Sequence, residues 1–408
     1  MCRYLHYIIF FKLKENNMRS TISYALSVML LVTGMNVFAQ NPTSTTPDET
    51  TTFETELQEL KLEARKKKGK KLTRYEETSI ENQVEFMAAV KAGNLDEVKE
   101  SVKSPYFYAF DDGGETALTR SIKNKDVEMV RFLEKEAVIN LDNEMGETPL
   151  ILAIEGGNEE IIDIIVKRAN PSLQNSHGTS PIMAALKHGD MDLVQELITK
   201  GADLNDKSHG MTPLFYAVEQ NNMKAVALLA HHGADPSIAN EEGEIPLYRA
   251  VRNGQNIITG ILLHKSSKPD VDANWTTKEG EPLLNVAINK NHDQVTRMLL
   301  DFGATVHRTD YLENTALNLA AEQGDSELVK ILLAKGANPN HRNITGETPL
   351  LTASRKGHGQ IANILAEAGA DTNMKDFNGF AATDRHNFGG LTDPEIIDAV
   401  MEVTDDYE

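Results

Sequence analysis

The residue types that most often perform chemistry are dispersed along this chain. The twelve histidines are scattered, and His188 and the pair His231-His232 fall where helices are expected to end. No His-Glu-x-x-His helix, metal-spaced cysteine cluster or glycine-rich phosphate loop occurs, and no serine stands in a Gly-x-Ser-x-Gly turn. We therefore predict a protein that is not an enzyme, with no catalytic residues, no cofactor and no metal site.

Adjacent carboxylates are the remaining candidates for acid–base chemistry. Asp111-Asp112 and Glu241-Glu242 are two such pairs, and each lies in a polar, glycine-containing segment between apolar stretches. Such segments are typical of exposed turns. We expect these carboxylates to be solvated rather than paired for catalysis.

The elements that position these residues repeat along the chain. Gly-Glu-Thr-Pro-Leu occurs at Gly146–Leu150 and again at Gly346–Leu350, and weaker copies recur about every 33 residues, a period typical of stacked helical repeats. The copies are anchored at Val84, Thr116, Thr148, Ser180, Thr212, Ile245, Pro282, Thr315, Thr348 and Ala381. This spacing predicts a solenoid of about ten units, in which each unit packs on its neighbours.

Each copy predicts the same local structure. Thr148 can cap a helix that begins at Pro149, because proline suits the first helical position. Gly157 ends this helix, and a second, more apolar helix follows at residues 161–166. In other copies the second helix ends at a glycine, namely Gly201, Gly233, Gly303, Gly336 and Gly369. A polar loop, here called a finger, then leads to the next Thr-Pro-Leu.

This pattern resembles the ankyrin repeat in its period, its opening motif and its Gly-Ala-(Asp/Asn) close. The resemblance covers residues 80–408 and implies an all-α repeat solenoid of helix-turn-helix units with β-hairpin fingers, including divergent units at both ends. One departure is the histidine that usually follows Thr-Pro-Leu in the family. Here it is replaced by Ile151, Met183, Phe215, Tyr248, Asn285, Asn318 and Leu351, and we expect apolar packing to take over its role.

The resemblance also implies protein binding through a concave face, which the fingertips and the first helix of each unit line. Large apolar residues occupy several fingertips, namely Met145, Met211, Trp275, Tyr311, Leu312, Ile344, Phe377 and Phe380. Exposed aromatic residues are frequent hot spots of interfaces, although each could instead pack on its neighbouring finger. Our candidate partner-binding residues are the first-helix residues Tyr216, Arg252 and Arg355 with the fingertip residues Trp275, Tyr311, Leu312, Ile344 and Phe377.

The longest step, from Ile245 to Pro282, places about four extra residues around Lys268 to Thr276, and insertions in repeat proteins usually fall in loops. This insertion carries Trp275, the only tryptophan of the chain. Two interpretations fit: a lengthened finger that recognises a partner, or a tolerated insertion with a buried anchor.

The N-terminal region predicts export. From Met18, the expected true start, Arg19 is followed by an apolar run and by Val37-Phe38-Ala39, which places signal cleavage before Gln40. Residues 1–39 are therefore assigned to a signal peptide region, with a periplasmic or secreted product that has no stable membrane insertion after cleavage. The alternative is an N-terminal membrane anchor, which the residues before Met18 would strengthen. Cys2 is the only cysteine, so the mature chain would contain no disulfide.

Residues 40–79 form the predicted flexible linker. They contain a basic cluster, Arg65, Lys66, Lys67, Lys68, Lys70 and Lys71, within a chain of net charge −20. The cluster could contact anionic lipid or an acidic partner, or it could be a solvated linker. The overall acidic charge argues against nucleic-acid binding.

These observations together predict a non-catalytic scaffold that binds a protein partner, acts as a monomer and needs no cofactor. The alternative function is an inhibitor, an immunity-type protein or a secreted effector, that occludes a toxin or an enzyme.

Overall fold

The computed structural model describes residues 74–101, 110–265 and 273–382. Short α-helices alternate with turns throughout these ranges, and their only β-pairs are isolated antiparallel bridges that close individual fingers, such as Thr309 with Thr315. The chain divides into two compact units, with the boundary between His188 and Gly189. The N-terminal signal and linker residues up to 73, the insertion residues 268–272 and the final residues from 383 lie outside the described ranges.

In the first unit, first helices pack on first helices and second helices pack on second helices. Its helices are α1 (Arg74–Ala92), α2 (Leu95–Ser101), α3 (Ala117–Lys123), α4 (Val127–Glu136), α5 (Pro149–Gly156), α6 (Glu159–Val166) and α7 (Pro181–His188). The first helices of successive repeats pack in the order α1, α3, α5 and α7, while the second helices α4 and α6 pack on each other. Helix α1 begins before the linker boundary predicted at residue 80.

The second unit follows the same plan. Its helices are α8 (Met191–Thr199), α9 (Pro213–Glu219), α10 (Met223–His231), α11 (Pro246–Arg252), α12 (Asn256–Lys265), α13 (Leu283–Asn289), α14 (Asp293–Asp301), α15 (Ala316–Gln323), α16 (Ser326–Ala334), α17 (Pro349–Lys356) and α18 (Gly359–Glu367). First helices α9, α11, α13, α15 and α17 pack in sequence. This stacking confirms the predicted class, an all-α repeat solenoid.

The first helices from α3 onward that follow a repeat anchor begin directly after that anchor, whereas α1 begins at Arg74, ten residues before the anchor predicted at Val84. The hydroxyl of Thr212 accepts a hydrogen bond from the amide of Phe215 at 3.2 Å, and Pro213 occupies the first turn. Among the threonine anchors Thr148 is an exception, because its hydroxyl is buried and makes no cap hydrogen bond; the prediction that it caps its helix was wrong. Ile245 and Pro282, which have no hydroxyl, make no side-chain cap either. The glycines predicted after the second helices all have the positive φ that favours glycine at a helix end.

The position that follows Thr-Pro-Leu is filled in two ways. Ile151, Met183 and Phe215 are each no more than 1% exposed, as expected for apolar packing. Asn285 and Asn318 are also buried, but they donate side-chain hydrogen bonds to the carbonyls of Asn314 and Glu347, at 2.9 and 3.4 Å. Apolar packing therefore replaces the family histidine in some repeats, and an asparagine bonded to the next finger replaces it in others.

Candidate functional site

The fingers of the second unit are built on one recurring turn. An Asp or Asn at the base accepts hydrogen bonds from the amides two and four residues later. Asp310 accepts from Leu312 and Asn314, at 2.9 and 2.8 Å, and Asp376 accepts from Asn378 and Phe380, at 2.8 and 2.9 Å. Such local side-chain bonds hold a turn in one shape. The residues at the tip are therefore held outward on a defined backbone.

Apolar side chains occupy the tips of three successive fingers. The exposed fractions are 70% for Tyr311, 40% for Leu312, 52% for Ile344 and 70% for Phe377. Phe380, 42% exposed, follows in the last finger. We call these five residues the fingertip surface. Large apolar side chains exposed side by side are a feature of interaction sites rather than of ordinary surface.

Backbone hydrogen bonds connect these fingers. The amide of Ile344 donates to the carbonyl of Leu312 at 2.9 Å, and the amide of Phe377 donates to the carbonyl of Thr345 at 3.3 Å. The Phe377 ring lies against Gly346, where a Cβ would fall 2.8 Å from the ring. The fingertip surface is consequently a single connected patch, with Phe377 seated on a glycine.

Trp275 does not share the exposure expected of it. Its side chain is half-buried, and its ring packs at a tilt of 43° against that of Tyr248, with 5.6 Å between the ring centroids. Its carbonyl accepts from the amide of Leu283 at 3.2 Å, which ties it to the start of α13. The anchor interpretation describes this packing better than an exposed tip does, because the ring already has a partner within the fold.

The basic first-helix candidates are paired within their own repeats. Arg252 lies 3.3 Å from Glu244, and Arg355 lies 2.8 Å from Glu347, each acid being at the end of the finger that precedes the helix. Both guanidinium side chains are 45% exposed. Tyr216 is half-buried on α9. Both arginines are therefore already paired with an acid of this chain.

An arginine that sequence reasoning missed organises the middle of the second unit. Arg249 is only 20% exposed and pairs with Glu244 at 2.5 Å and with Glu219 and Glu242 at 3.5 Å. Its guanidinium also lies 5.5 Å from the centre of the Phe215 ring on α9. The signal in the sequence was the run of acids just before a Pro-Leu-x-Arg helix start. Arg249 thus joins two neighbouring repeats.

In the first unit, a similar network surrounds Lys123. Its ammonium contacts Glu115 at 2.6 Å and Glu147 at 2.8 Å, in its own finger and the next one. Burial raises the pKa of Glu147, but hydrogen bonds from Lys123 and Asn143 outweigh it and leave that pKa below its ordinary value. Lys123 therefore stabilises the ionised form of Glu147 across adjacent repeats.

The carboxylate pair at the first finger is structural, and the expectation that both members are exposed was wrong. Asp111 is 7% exposed, accepts hydrogen bonds from the amides of Gly113 and Glu115 at 2.9 Å, and pairs with Arg120 at 2.6 Å. Asp112 pairs with Lys91 at 3.1 Å. The Asp111 carboxylate thus stabilises the turn of this finger, because its oxygens already accept hydrogen bonds from that turn and from Arg120.

The described ranges contain neither a metal-binding cluster nor a membrane-spanning helix. No group of three or more His, Cys, Asp or Glu residues there is arranged to hold a metal ion. Across the same residues, no helix combines the length and the apolar character that crossing a membrane requires.

Comparison with known proteins gives the family. No curated protein matches the chain. Among solved structures, the ankyrin repeat domain of Bcl-3, described as a unique member of the IkappaB protein family, is 24% identical, with 55% of this chain and 100% of that chain covered and a TM-score of 0.48. The family model of ankyrin repeats matches three times, at residues 86–175, 157–240 and 306–376. Because these segments cover more than half of the 408 residues, the chain belongs to the ankyrin repeat family.

Proposed function

We propose that this protein is a non-catalytic scaffold that is exported to the periplasm or the cell exterior and binds a protein partner through its fingertips. Ankyrin repeats generally mediate protein–protein interactions. The observation that carries the proposal is the exposure of Tyr311, Leu312, Ile344 and Phe377 on three successive fingers joined by backbone hydrogen bonds. These four residues are the core of the proposed contact.

The physical argument is the cost of leaving this surface in water. Burying apolar surface contributes roughly 25 cal/mol per Å², and aromatic side chains such as Tyr311 and Phe377 have on the order of 150–250 Å² to bury. The turns already fix the backbone beneath these rings, so little conformational entropy is lost when they dock. We therefore expect Tyr311 and Phe377 to dominate the binding energy.

The test compares two double-alanine variants, each of which removes two exposed apolar side chains from a different part of the second unit. One variant carries Tyr311→Ala and Phe377→Ala. The control carries Met223→Ala and Ile257→Ala, which remove exposed apolar side chains (47% and 62%) from the second-helix row of α10 and α12. Residues 40–408 and both variants are immobilised and used to capture proteins from envelope and secreted fractions, and the affinity of each captured protein is then measured.

We expect the fingertip variant to bind at least about 30-fold more weakly, since hot-spot truncations cost about 2 kcal/mol or more. The control variant should bind like the unmodified protein. Equal binding by all three proteins would reject the fingertip surface as the site. If the partner is an enzyme or a toxin, its activity at saturation separates the two functions: unchanged activity supports the scaffold, and abolished activity supports the inhibitor.

Export is tested separately on the full-length chain. It is expressed in a bacterial host with its own N-terminus, and the intact mass of the product is measured in cytoplasmic, periplasmic, membrane and medium fractions. A periplasmic or secreted product that begins at Gln40 supports cleavage at the predicted site. An uncleaved product in the membrane fraction would instead establish the anchor.

A further inference from the structure

One finger glutamate of the second unit lacks the cation that its counterparts have. Glu244 and Glu347 each pair with an arginine eight residues later on the following helix, and Glu115 pairs with Lys123 in the same way. The equivalent of these cations after Glu281 is Asn289, which donates a hydrogen bond to the Glu281 carboxylate at 3.2 Å. Within the described ranges, no lysine or arginine forms an ion pair with Glu281.

The charge of Glu281 is consequently incompletely compensated. Its side chain is half-buried, and this burial raises the pKa of its carboxyl. The hydrogen bond from Asn289 and the charge of Lys290 act in the opposite direction, while Asp310 and Glu279 add further negative charge. A cation supplied by a bound partner would offset both the loss of solvation of the Glu281 carboxylate and its repulsion by Asp310 and Glu279.

An aromatic pair lies on the same finger as Glu281 and on the helix before it, α11. Tyr248 and Trp275 pack together with 5.6 Å between their centroids, and both remain partly exposed. Burial raises the pKa of Tyr248; the charges of Arg252 and Arg249 lower it, and those of Glu244 and Glu281 raise it. Glu281 is therefore one of the charged side chains around this ring. Trp275 and Glu281 belong to one finger, which is closed by a bridge between Thr276 and Pro282.

No cation of the described ranges occupies these two rings. The cation–π contact seen there is that of Arg249 with Phe215, at 5.5 Å from the ring centre. Tryptophan is the aromatic side chain that attracts cations most strongly, and a carboxylate beside it adds a charge-assisted hydrogen bond. Arg252 and Arg249 act on Tyr248 through their charges, but both are already paired with Glu244. Within the described ranges, Glu281 therefore has no ion pair, and neither Trp275 nor Tyr248 has a cation over its ring.

We propose that Tyr248, Trp275 and Glu281 together receive one arginine side chain of the protein partner. Arginine fits better than lysine, because a planar guanidinium stacks on aromatic rings while it donates two parallel hydrogen bonds to a carboxylate. This inference rests on the proposed function and adds a partner chemistry to it: an arginine near apolar residues that cover the fingertip surface.

The test uses the single tryptophan of the chain as its reporter. Trp275 fluorescence of residues 40–408 is followed during titration with N-acetyl-arginine amide at constant ionic strength. N-acetyl-citrulline amide, which has nearly the same shape without the charge, is the control ligand. Three variants are titrated in parallel: Glu281→Gln, Glu279→Gln, which removes an equal charge from an exposed position of the same finger, and the fingertip variant Tyr311→Ala, Phe377→Ala.

We expect a saturable change in fluorescence with the arginine amide and at least a threefold weaker response with the citrulline amide. Glu281→Gln should weaken arginine binding at least threefold, while Glu279→Gln should leave it within a factor of two. An equal response to both ligands, or equal losses in the two glutamine variants, would overturn the proposal. Circular dichroism of each variant verifies that the fold is retained.

The two proposals fail separately. The fingertip variant should still bind the arginine amide, because Tyr311 and Phe377 are not among the three receiving residues. If partner capture depends on the fingertips but Glu281→Gln binds that partner as well as the unmodified protein does, only the arginine site is refuted. If the arginine amide binds as expected and the fingertip variant captures every partner normally, the fingertip proposal is the one that fails.

Discussion

Replacement of Gly346 by alanine should displace Phe377 from the fingertip surface. Gly346 has a φ of +79°, and a Cβ added there would lie 2.8 Å from the Phe377 ring and 2.9 Å from its backbone nitrogen. The ring is exposed and can move, but the nitrogen donates a hydrogen bond to the Thr345 carbonyl at 3.3 Å. The substitution therefore strains the connection between the last two fingers.

The magnitude follows from two separable costs. An alanine at a left-handed backbone position costs about 1–2 kcal/mol, offset in part by about 0.4–1 kcal/mol from the less flexible unfolded chain. Overcrowding of the kind expected at Phe377 adds about 1–3 kcal/mol. Gly336, in the same repeat, provides the control: its φ is +86°, but an added Cβ meets nothing within 4 Å. Gly336→Ala should thus carry only the first cost.

The assay is urea unfolding followed by circular dichroism and by Trp275 fluorescence, with the free energy of unfolding taken from the midpoint and slope. We expect Gly346→Ala to lose about 1–3 kcal/mol more than Gly336→Ala, and to bind a fingertip-dependent partner more weakly even in the absence of urea. Equal destabilisation by the two alanines would refute the argument, since it would mean that Phe377 is not seated on Gly346.

Three further predictions concern the charged networks. Because burial raises the pKa of Glu281 above its ordinary value of 4.5, the charged carboxylate destabilises the folded state. The Glu281→Gln variant should therefore have a higher urea midpoint than the unmodified protein at pH 7, and this difference should disappear below about pH 4.5. Arg249→Met should lower the free energy of unfolding by about 2–4 kcal/mol, because it removes the cation of Glu219 and Glu242 and leaves Glu244 with Arg252 alone. Arg252→Met, at a more exposed pair, should cost under about 1 kcal/mol in the same urea assay. Lys123 helps to hold the pKa of Glu147 in the folded protein below its ordinary value of 4.5, against the effect of desolvation. The resulting stabilisation is present above pH 4.5 and is lost as the pH falls through the lowered pKa of the folded state. Lys123→Met should therefore make stability fall less steeply below about pH 4.5, as measured by urea midpoints at successive pH values.

The regular part of the fold could be predicted because local chemistry determines it. Thr-Pro-Leu fixes a helix start through a cap and a proline, so Thr212 and Pro213 lie where the motif places them. A glycine such as Gly336 marks the end of a second helix because the backbone there needs a positive φ. These signals act within a few residues and recur in successive repeats. The same helix boundary is therefore indicated several times in the sequence.

The parts that sequence reasoning missed depend on residues from different repeats. Trp275 could not be assigned to one of its two interpretations, because its half-buried position follows from contact with Tyr248 in the preceding repeat, and nothing in the local sequence around either residue specifies that distance. Asp111 was expected to be exposed because its neighbours are polar, but the turn closes its own amides around the carboxylate and Arg120 covers it. In such cases packing outweighs the average behaviour of a residue type.

In a repeat protein, equivalent positions of different repeats can be compared with one another. A repeat that departs from the others at such a position is therefore informative about function. Positions under the same structural demand should converge on the same solution, as Glu115, Glu244 and Glu347 do when each pairs with a cation on the next helix. Glu147 reaches the same end through Lys123 of the preceding repeat. Where Asn289 replaces that cation, stability gains nothing from the change, since Glu281 is left half-buried with its pKa raised. Tyr311 and Phe377 are equally unhelpful to the isolated fold, because most of each side chain remains in water. A fold improved for stability alone would favour a cation at 289 and polar residues at 311 and 377. In the proposed function, binding of a partner supplies the compensation that the isolated chain lacks, so substitutions that stabilise the protein at these three positions should weaken the complex.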